Sequence, residues 1–167
     1  MNLYILRHAK AEEFGSRYSD DSKRPLTKAG EKEMFRVAEG MRGMDLSFDL
    51  ILTSPFARAK RTAEIVAEVF KSNKLRPSKN LAGGADARNL IDELNDDYPS
   101  HENILLVGHE PYLSRLISRL SAGDEKLSLN LKKAGLCKLT VGGLRAGRCA
   151  QLEWLLTPGQ LEQMGKL

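Results

Sequence analysis

Two histidines and two arginines stand where side chains can do chemistry. Arg7-His8 closes the apolar run Leu3-Tyr4-Ile5-Leu6, His109 follows Ile104-Leu105-Leu106-Val107-Gly108, and Arg58 comes shortly after the run Phe48 to Thr53. A charged or polar group set at the end of a core strand cannot be left unpaired in a low dielectric, where it costs several kcal/mol. It must meet solvent, a partner or a ligand. In open α/β sheets the ligand crevice lies at the carboxyl ends of the strands. If the three runs are strands of one parallel sheet, their ends share a rim and the four groups converge there. Guanidinium is the planar, always-charged donor suited to phosphoryl oxygens, and imidazole can attack phosphorus or hold a proton. The convergence therefore points to a tetrahedral oxyanion. A zinc site is the rival for paired histidines, but it needs three or four ligands. The arginines disfavour a dication, and Cys137 and Cys149 lie elsewhere. No Gly-x-Ser-x-Gly nucleophile elbow is present.

The elements that must deliver these groups follow from periodicity. Leu3 to Leu6 is too short for a helix and reads as a strand buried on both faces. Glu12 to Pro25 is a polar loop, and Thr27 is a plausible N-cap for a helix with Met34, Val37, Ala38 and Met41 on one face. Gly40 to Gly43 suits its C-terminal cap. Phe48 to Thr53 is a second strand, broken by Ser54-Pro55-Phe56. A helix from Ala57 to Phe70 then places Arg58 in its first turn. A cation there opposes the helix dipole, and a bound anion would offset that. Leu75 to Leu81, with Pro77 inside, reads as an edge strand or a loop. Gly83-Gly84 forms a turn without the Lys-Ser/Thr of a nucleotide loop, and Asp86 caps a short helix carrying Leu90, Ile91 and Leu94. Ile104 to Val107 is the most hydrophobic strand. Gly108 would let the backbone approach a ligand, and a helix opens near Pro111. Leu136 to Val141 and Cys149 to Leu156 flank a glycine turn and read as a hairpin, with Trp154 in the core. The tail after Thr157-Pro158 shows no chemistry.

Bulk properties agree. A chain of 167 residues with 41% hydrophobic and 29% charged residues reads as one soluble globular domain, 1–167. No run approaches the ~20 apolar residues of a membrane span, and Met1-Asn2 lacks the basic region of a signal peptide. The net charge of +4 is interspersed, which suits an anionic substrate better than a nucleic acid. Two cysteines in a chain this long read as reduced core thiols, hence a cytoplasmic protein, and the interspersed charge and the lack of an apolar span lead us to expect no nucleic-acid or membrane partner.

The motifs resemble one family. Leu6-Arg7-His8-Ala9-Lys10-Ala11 is similar to the Arg-His-Gly signature of the histidine phosphatase (phosphoglycerate mutase-like) superfamily. Ala9 stands for the usual glycine, as in the short branch of SixA-like phosphohistidine phosphatases. Arg24-Pro25-Leu26-Thr27 with a following glycine resembles a segment of that branch. Ser54-Pro55-Phe56-Ala57-Arg58 with Thr62-Ala63 matches the second signature, and Val107-Gly108-His109-Glu110-Pro111 resembles the third. The resemblance implies an α/β three-layer sandwich, with a mostly parallel central sheet, helices on both faces and a C-terminal antiparallel hairpin. It implies a hydrolase that needs neither metal nor cofactor, with His8 as nucleophile and a covalent phosphohistidine intermediate. Arg7 and Arg58 would clamp the phosphoryl group, His109 would donate to it, and Arg24 would reach it. Larger members take a general acid from a carboxylate before the His109 strand. Here Lys71 to Asn103 is too short for a large lid, and Asp86 and Glu110 are the candidates. The SixA-like branch lacks the usual proton donor, which suits a phosphoramidate, whose imidazole leaving group needs less help than an alkoxide. The expected substrate is therefore a phosphohistidine-containing protein such as a phosphotransfer domain, with phosphate or another oxyanion in the site. The alternatives are a small-molecule phosphomonoesterase of the same superfamily and a non-catalytic phosphoprotein-binding module.

Overall fold

The computed structural model describes residues 1–15 and 17–167. Ser16, inside the expected Glu12 to Pro25 loop, lies outside the described residues. Six strands, β1 (Asn2–Arg7), β2 (Leu50–Thr53), β3 (Leu75–Pro77), β4 (Asn103–Gly108), β5 (Leu136–Val141) and β6 (Ala150–Leu156), form one sheet in the order β3-β2-β4-β1-β5-β6. The first four are mutually parallel, whereas β5 runs antiparallel to β1 and β6 antiparallel to β5. The expected hairpin thus sits at one side of a mostly parallel sheet. Pro77 falls in the edge strand β3, which has three residues and is followed by a 3₁₀ turn over Lys79–Leu81.

Side-chain alternation along the strands divides the core between two helical layers. Tyr4, Leu6, Ile51, Leu105 and Val107 face α1 (Lys28–Gly43), α2 (Ala57–Val69) and α5 (Pro158–Met164). Leu3, Ile5, Leu52, Ile104 and Leu106 face α3 (Ala87–Asp97) and α4 (Tyr112–Ala122). Burial on both faces is why these strands read as continuous apolar runs. Thr27 does cap α1, accepting from Gly30 N–H at 2.9 Å, and Asp86 caps α3, accepting from Arg88 N–H at 2.9 Å.

Three local expectations are corrected. Gly40 and Gly43 do not cap α1; Met44 does, and Asp45 takes the positive φ beyond it. A Cβ on Gly40 would stand 1.8 Å from the Leu161 carbonyl oxygen, so that glycine exists to let α5 lie against α1. The tail, in which no chemistry is expected, forms this helix, started by a capping box between Thr157 and Gln160. Cys149, in the hairpin turn just before β6, and Trp154, on the edge strand β6, are only half-buried, while Cys137 is buried; both thiols are free. No helix is long and apolar enough to cross a membrane.

Candidate active site

Backbone bonds tie the strand ends together. Arg7 pairs with Gly108 in the β1–β4 ladder, His8 N–H donates to the Gly108 carbonyl at 3.0 Å, and Ser54 N–H donates to the Val107 carbonyl at 2.9 Å. His8, Ser54 and His109 therefore leave the sheet side by side. The two imidazole centroids are 5.2 Å apart, and His8, Arg58 and His109 are all buried. Gly108 does not open space toward the crevice: an added Cβ would meet Leu113 at 3.2 Å and the Leu81 carbonyl at 3.4 Å. Its missing side chain serves the packing of α4.

The hydrogen bonds fix the His8 tautomer. His8 Nδ1 lies 2.7 Å from the Ala9 carbonyl oxygen, which can only accept, so Nδ1 carries the proton and Nε2 keeps its lone pair. Arg58 Nε–H donates to that lone pair at 3.3 Å. His109 Nε2 is 2.7 Å from Ser54 Oγ, which also accepts from Phe56 N–H at 3.3 Å. Ser54 Oγ can give its own hydrogen to Nε2 or accept from it; with the hydroxyl as donor the His109 proton sits on Nδ1, which is buried and has no partner. Burial, reinforced by the neighbouring guanidiniums, lowers the His8 pKa to about 3 and the His109 pKa to about 4. Both imidazoles are neutral near pH 7.

The two arginines differ in their company. Arg7 donates to the Leu131 carbonyl at 3.0 Å, and its buried Nε has no partner. Arg58 is held by Asp21: one terminal nitrogen donates to the Asp21 carbonyl at 2.7 Å, the other to Asp21 Oδ2 at 2.8 Å. Arg24 is bonded to Asp21 Oδ1 at 3.1 Å and to the Glu12 carbonyl at 2.7 Å, so it joins the cluster through Asp21. The anion expected beside the first turn of α2 thus has a resident member. Asp21 came from an unpatterned polar loop, and sequence reasoning missed it. Thr62 belongs to the second signature. It accepts from Ala9 N–H at 3.1 Å and donates to the Arg58 carbonyl at 2.7 Å, locking α2 to the residue after His8.

Asp86 and Glu110 border this knot, and the Glu110 charge acts on Arg7. Together with Arg88, Tyr112 and Arg115 they line a neighbouring hollow of about 330 Å³ between the Gly83–Arg88 turn and the start of α4. Glu110 accepts from Ser114 Oγ at 2.6 Å. A larger groove of about 810 Å³, lined by Ala122, Arg145, Arg148 and Leu152 among others, borders the turn of the β5–β6 hairpin and contains none of the converging groups. Among the described residues no three His, Cys, Asp or Glu side chains gather as a metal site.

Arranged this way, the crevice offers an imidazole lone pair on His8, two guanidiniums and an unpartnered ring nitrogen on His109 within one cluster. The family model of the histidine phosphatase superfamily (branch 1) matches residues 3–82. An uncharacterized protein of Picosynechococcus sp. is 34% identical over 150 residues, spanning 87% of this chain and 88% of the relative. The phosphohistidine phosphatase SixA of Escherichia coli is 29% identical over 74% of this chain and 76% of its own. The solved structure of the protein histidine phosphatase SixA complexed with tungstate superposes with a TM-score of 0.83 at 23% identity, covering 96% of this chain and 99% of that one. Motifs, sheet order and sequence matches agree, and the chain belongs to the histidine phosphatase superfamily.

Proposed function

We propose that this protein, acting as one domain over residues 1–167, is a cytoplasmic phosphohistidine phosphatase that removes a phosphoryl group from a phosphorylated protein. The observation that carries the reading is the lone pair on His8 Nε2, fixed by the Nδ1–H bond to Ala9 and facing Arg58 Nε–H at 3.3 Å. Nε2 attacks phosphorus, forming a P–N bond to His8 while the bond from phosphorus to the substrate imidazole breaks. That imidazole leaves neutral after taking one proton. Water then attacks, an O–P bond forms, the P–Nε2 bond breaks, and inorganic phosphate departs. Splitting one difficult displacement into two easier ones is the advantage of a covalent intermediate. Arg7, through its unpartnered Nε, Arg58 and His109 Nδ1–H supply donors to the charge that builds on the phosphoryl oxygens. α2 has no side-chain cap at its start, so its first N–H groups add to the same positive rim.

Arg24 acts in the phosphate region, and Asp86 or Glu110, in the adjoining hollow, delivers the proton that the leaving imidazole takes. The likeness to SixA supports a protein substrate, a phosphotransfer domain fitting best. A phosphomonoesterase of small molecules is the second reading, since the chemistry at His8 would be the same.

The test is to incubate the protein with a labelled phosphohistidine-containing protein, and in parallel with sugar and nucleotide phosphates, without added metal. An acid-labile, base-stable label on the wild type, absent in His8→Ala, supports the nucleophile. Turnover confined to monoesters overturns the protein substrate, and retained activity in His8→Ala overturns the mechanism. Tight binding without label identifies a binding module instead.

A further inference from the structure

Arg58 is buried, yet its fork is not held by any neighbour on its own helix. Asp21 meets both terminal nitrogens, at 2.7 and 2.8 Å, from a 3₁₀ turn over Asp21–Lys23 that lies 37 residues away in sequence. The turn is itself fixed: Asp20 accepts from Ser22 N–H at 3.0 Å, and Arg24 grips Asp21 Oδ1 from the other side. Guanidinium carries five N–H donors in one rigid plane. With both terminal nitrogens tied to Asp21, the remaining edge is the one bearing Nε–H, and Nε–H faces His8 Nε2 at 3.3 Å. Asp21 therefore holds the back of the fork and leaves the edge toward the nucleophile for a ligand. Although burial works to raise the Asp21 pKa, hydrogen bonds and charge from Arg58 and then Arg24 lower it overall, so the carboxylate is ionised.

We infer that Asp21 is a positioning residue which orients the Arg58 guanidinium toward the phosphoryl group held at His8. The inference rests on the phosphatase reading for its kinetic part and on geometry alone for its structural part. Without the carboxylate, Arg58 keeps only its stacking near the Phe56 ring, 5.3 Å from the guanidinium carbon, its contact with His8 and one backbone carbonyl. A guanidinium that wanders by about an ångström loses about 100-fold in rate where alignment matters. The charge itself would remain, so ground-state attraction for the substrate would suffer less than turnover.

The experiment compares wild type with Asp21→Asn and Asp21→Ala. By NMR, the wild-type Arg58 Nε–H is expected as a distinct, slowly exchanging signal that is lost in Asp21→Ala and broadened in Asp21→Asn, while the backbone spectrum elsewhere is kept. In turnover of a phosphohistidine protein, kcat is expected to fall about 10- to 100-fold in Asp21→Ala with KM changing much less, and Asp21→Asn to fall between. An Arg58 Nε–H as protected in Asp21→Ala as in wild type overturns the assignment, as does an equal loss in KM and none in kcat. Should the wild type take no phosphoryl label at all, the phosphatase reading falls while the Nε–H signal still decides the role of Asp21.

Discussion

Ser54 and His109 meet at 2.7 Å, Oγ to Nε2, although 55 residues separate them and each ends a different strand. A hydroxyl hydrogen given to Nε2 would put the His109 proton on Nδ1. Ser54→Ala removes that instruction and leaves a buried Nε2 without a partner, at a cost of about 1–3 kcal/mol in stability. The expected kinetic result is a fall of about 10-fold in kcat, with nitrogen NMR reporting a mixture of His109 tautomers instead of one. A single unchanged tautomer in the variant refutes the role of the hydroxyl.

The buried imidazoles make acid stability a property of the site. In the unfolded chain both titrate near the ordinary value of about 6.5; in the folded protein the values fall to about 3 for His8 and about 4 for His109. Lowered folded values mean that the unfolded state binds more protons as pH falls, so stability is full above about pH 6.5 and is lost progressively toward pH 4. The slope is on the order of 1.4 kcal/mol per pH unit for each histidine. Urea unfolding followed across that window should show it, and His109→Asn should remove about half of the slope. An unchanged slope in the variant means that His109 is not held neutral.

The crevice was legible because its makers sit at strand ends, where an apolar run stops at a polar residue: Arg7-His8, Ser54 with Arg58, and His109 each carry that signature. The two-layer core was legible from the same runs. Asp21 was not, because a contact between a polar loop and a helix leaves no periodic trace. Arg24 was legible as a site residue only by resemblance, and its bond to Asp21 shows how it joins the cluster. The helix Pro158–Met164 did leave a trace, the Thr157 to Gln160 capping box, which went unread because the segment is short. Gly40 was misread since a glycine near a helix end has two uses, capping and close packing, and only the neighbour distinguishes them.

That second use gives a prediction with a clean contrast. Gly40→Ala drives a Cβ against the Leu161 carbonyl, a backbone atom that cannot rotate away, so α5 must shift from α1. Overpacking of this kind costs about 1–3 kcal/mol. Thermal unfolding should shift downward while kcat and KM measured well below the transition stay at wild-type values, because neither helix face touches the crevice. Gly30→Ala is the opposite case. Its Cβ would press on the Lys10 carbonyl at 2.2 Å, two residues from His8, so activity should fall together with stability. Equal behaviour of the two variants in activity would refute the distinction.

Arg58→Lys separates charge from shape. The lysine keeps one positive charge beside His8, but a single ammonium cannot serve the Asp21 carbonyl, Asp21 Oδ2 and the His8 lone pair from one plane, as the guanidinium does now. If the site needed only positive potential, the exchange would leave the rate within a few-fold. If the fork must be aligned with the oxygens of the transferring group, the loss belongs to the transition state and reaches about 100- to 1,000-fold in kcat, the scale for removing one aligned donor. The second outcome is expected, with phosphate binding weakened much less than turnover, because ground-state attraction survives with the charge. Measuring inorganic phosphate affinity by calorimetry beside kcat distinguishes the two, and parallel losses in both would mean that Arg58 serves binding alone.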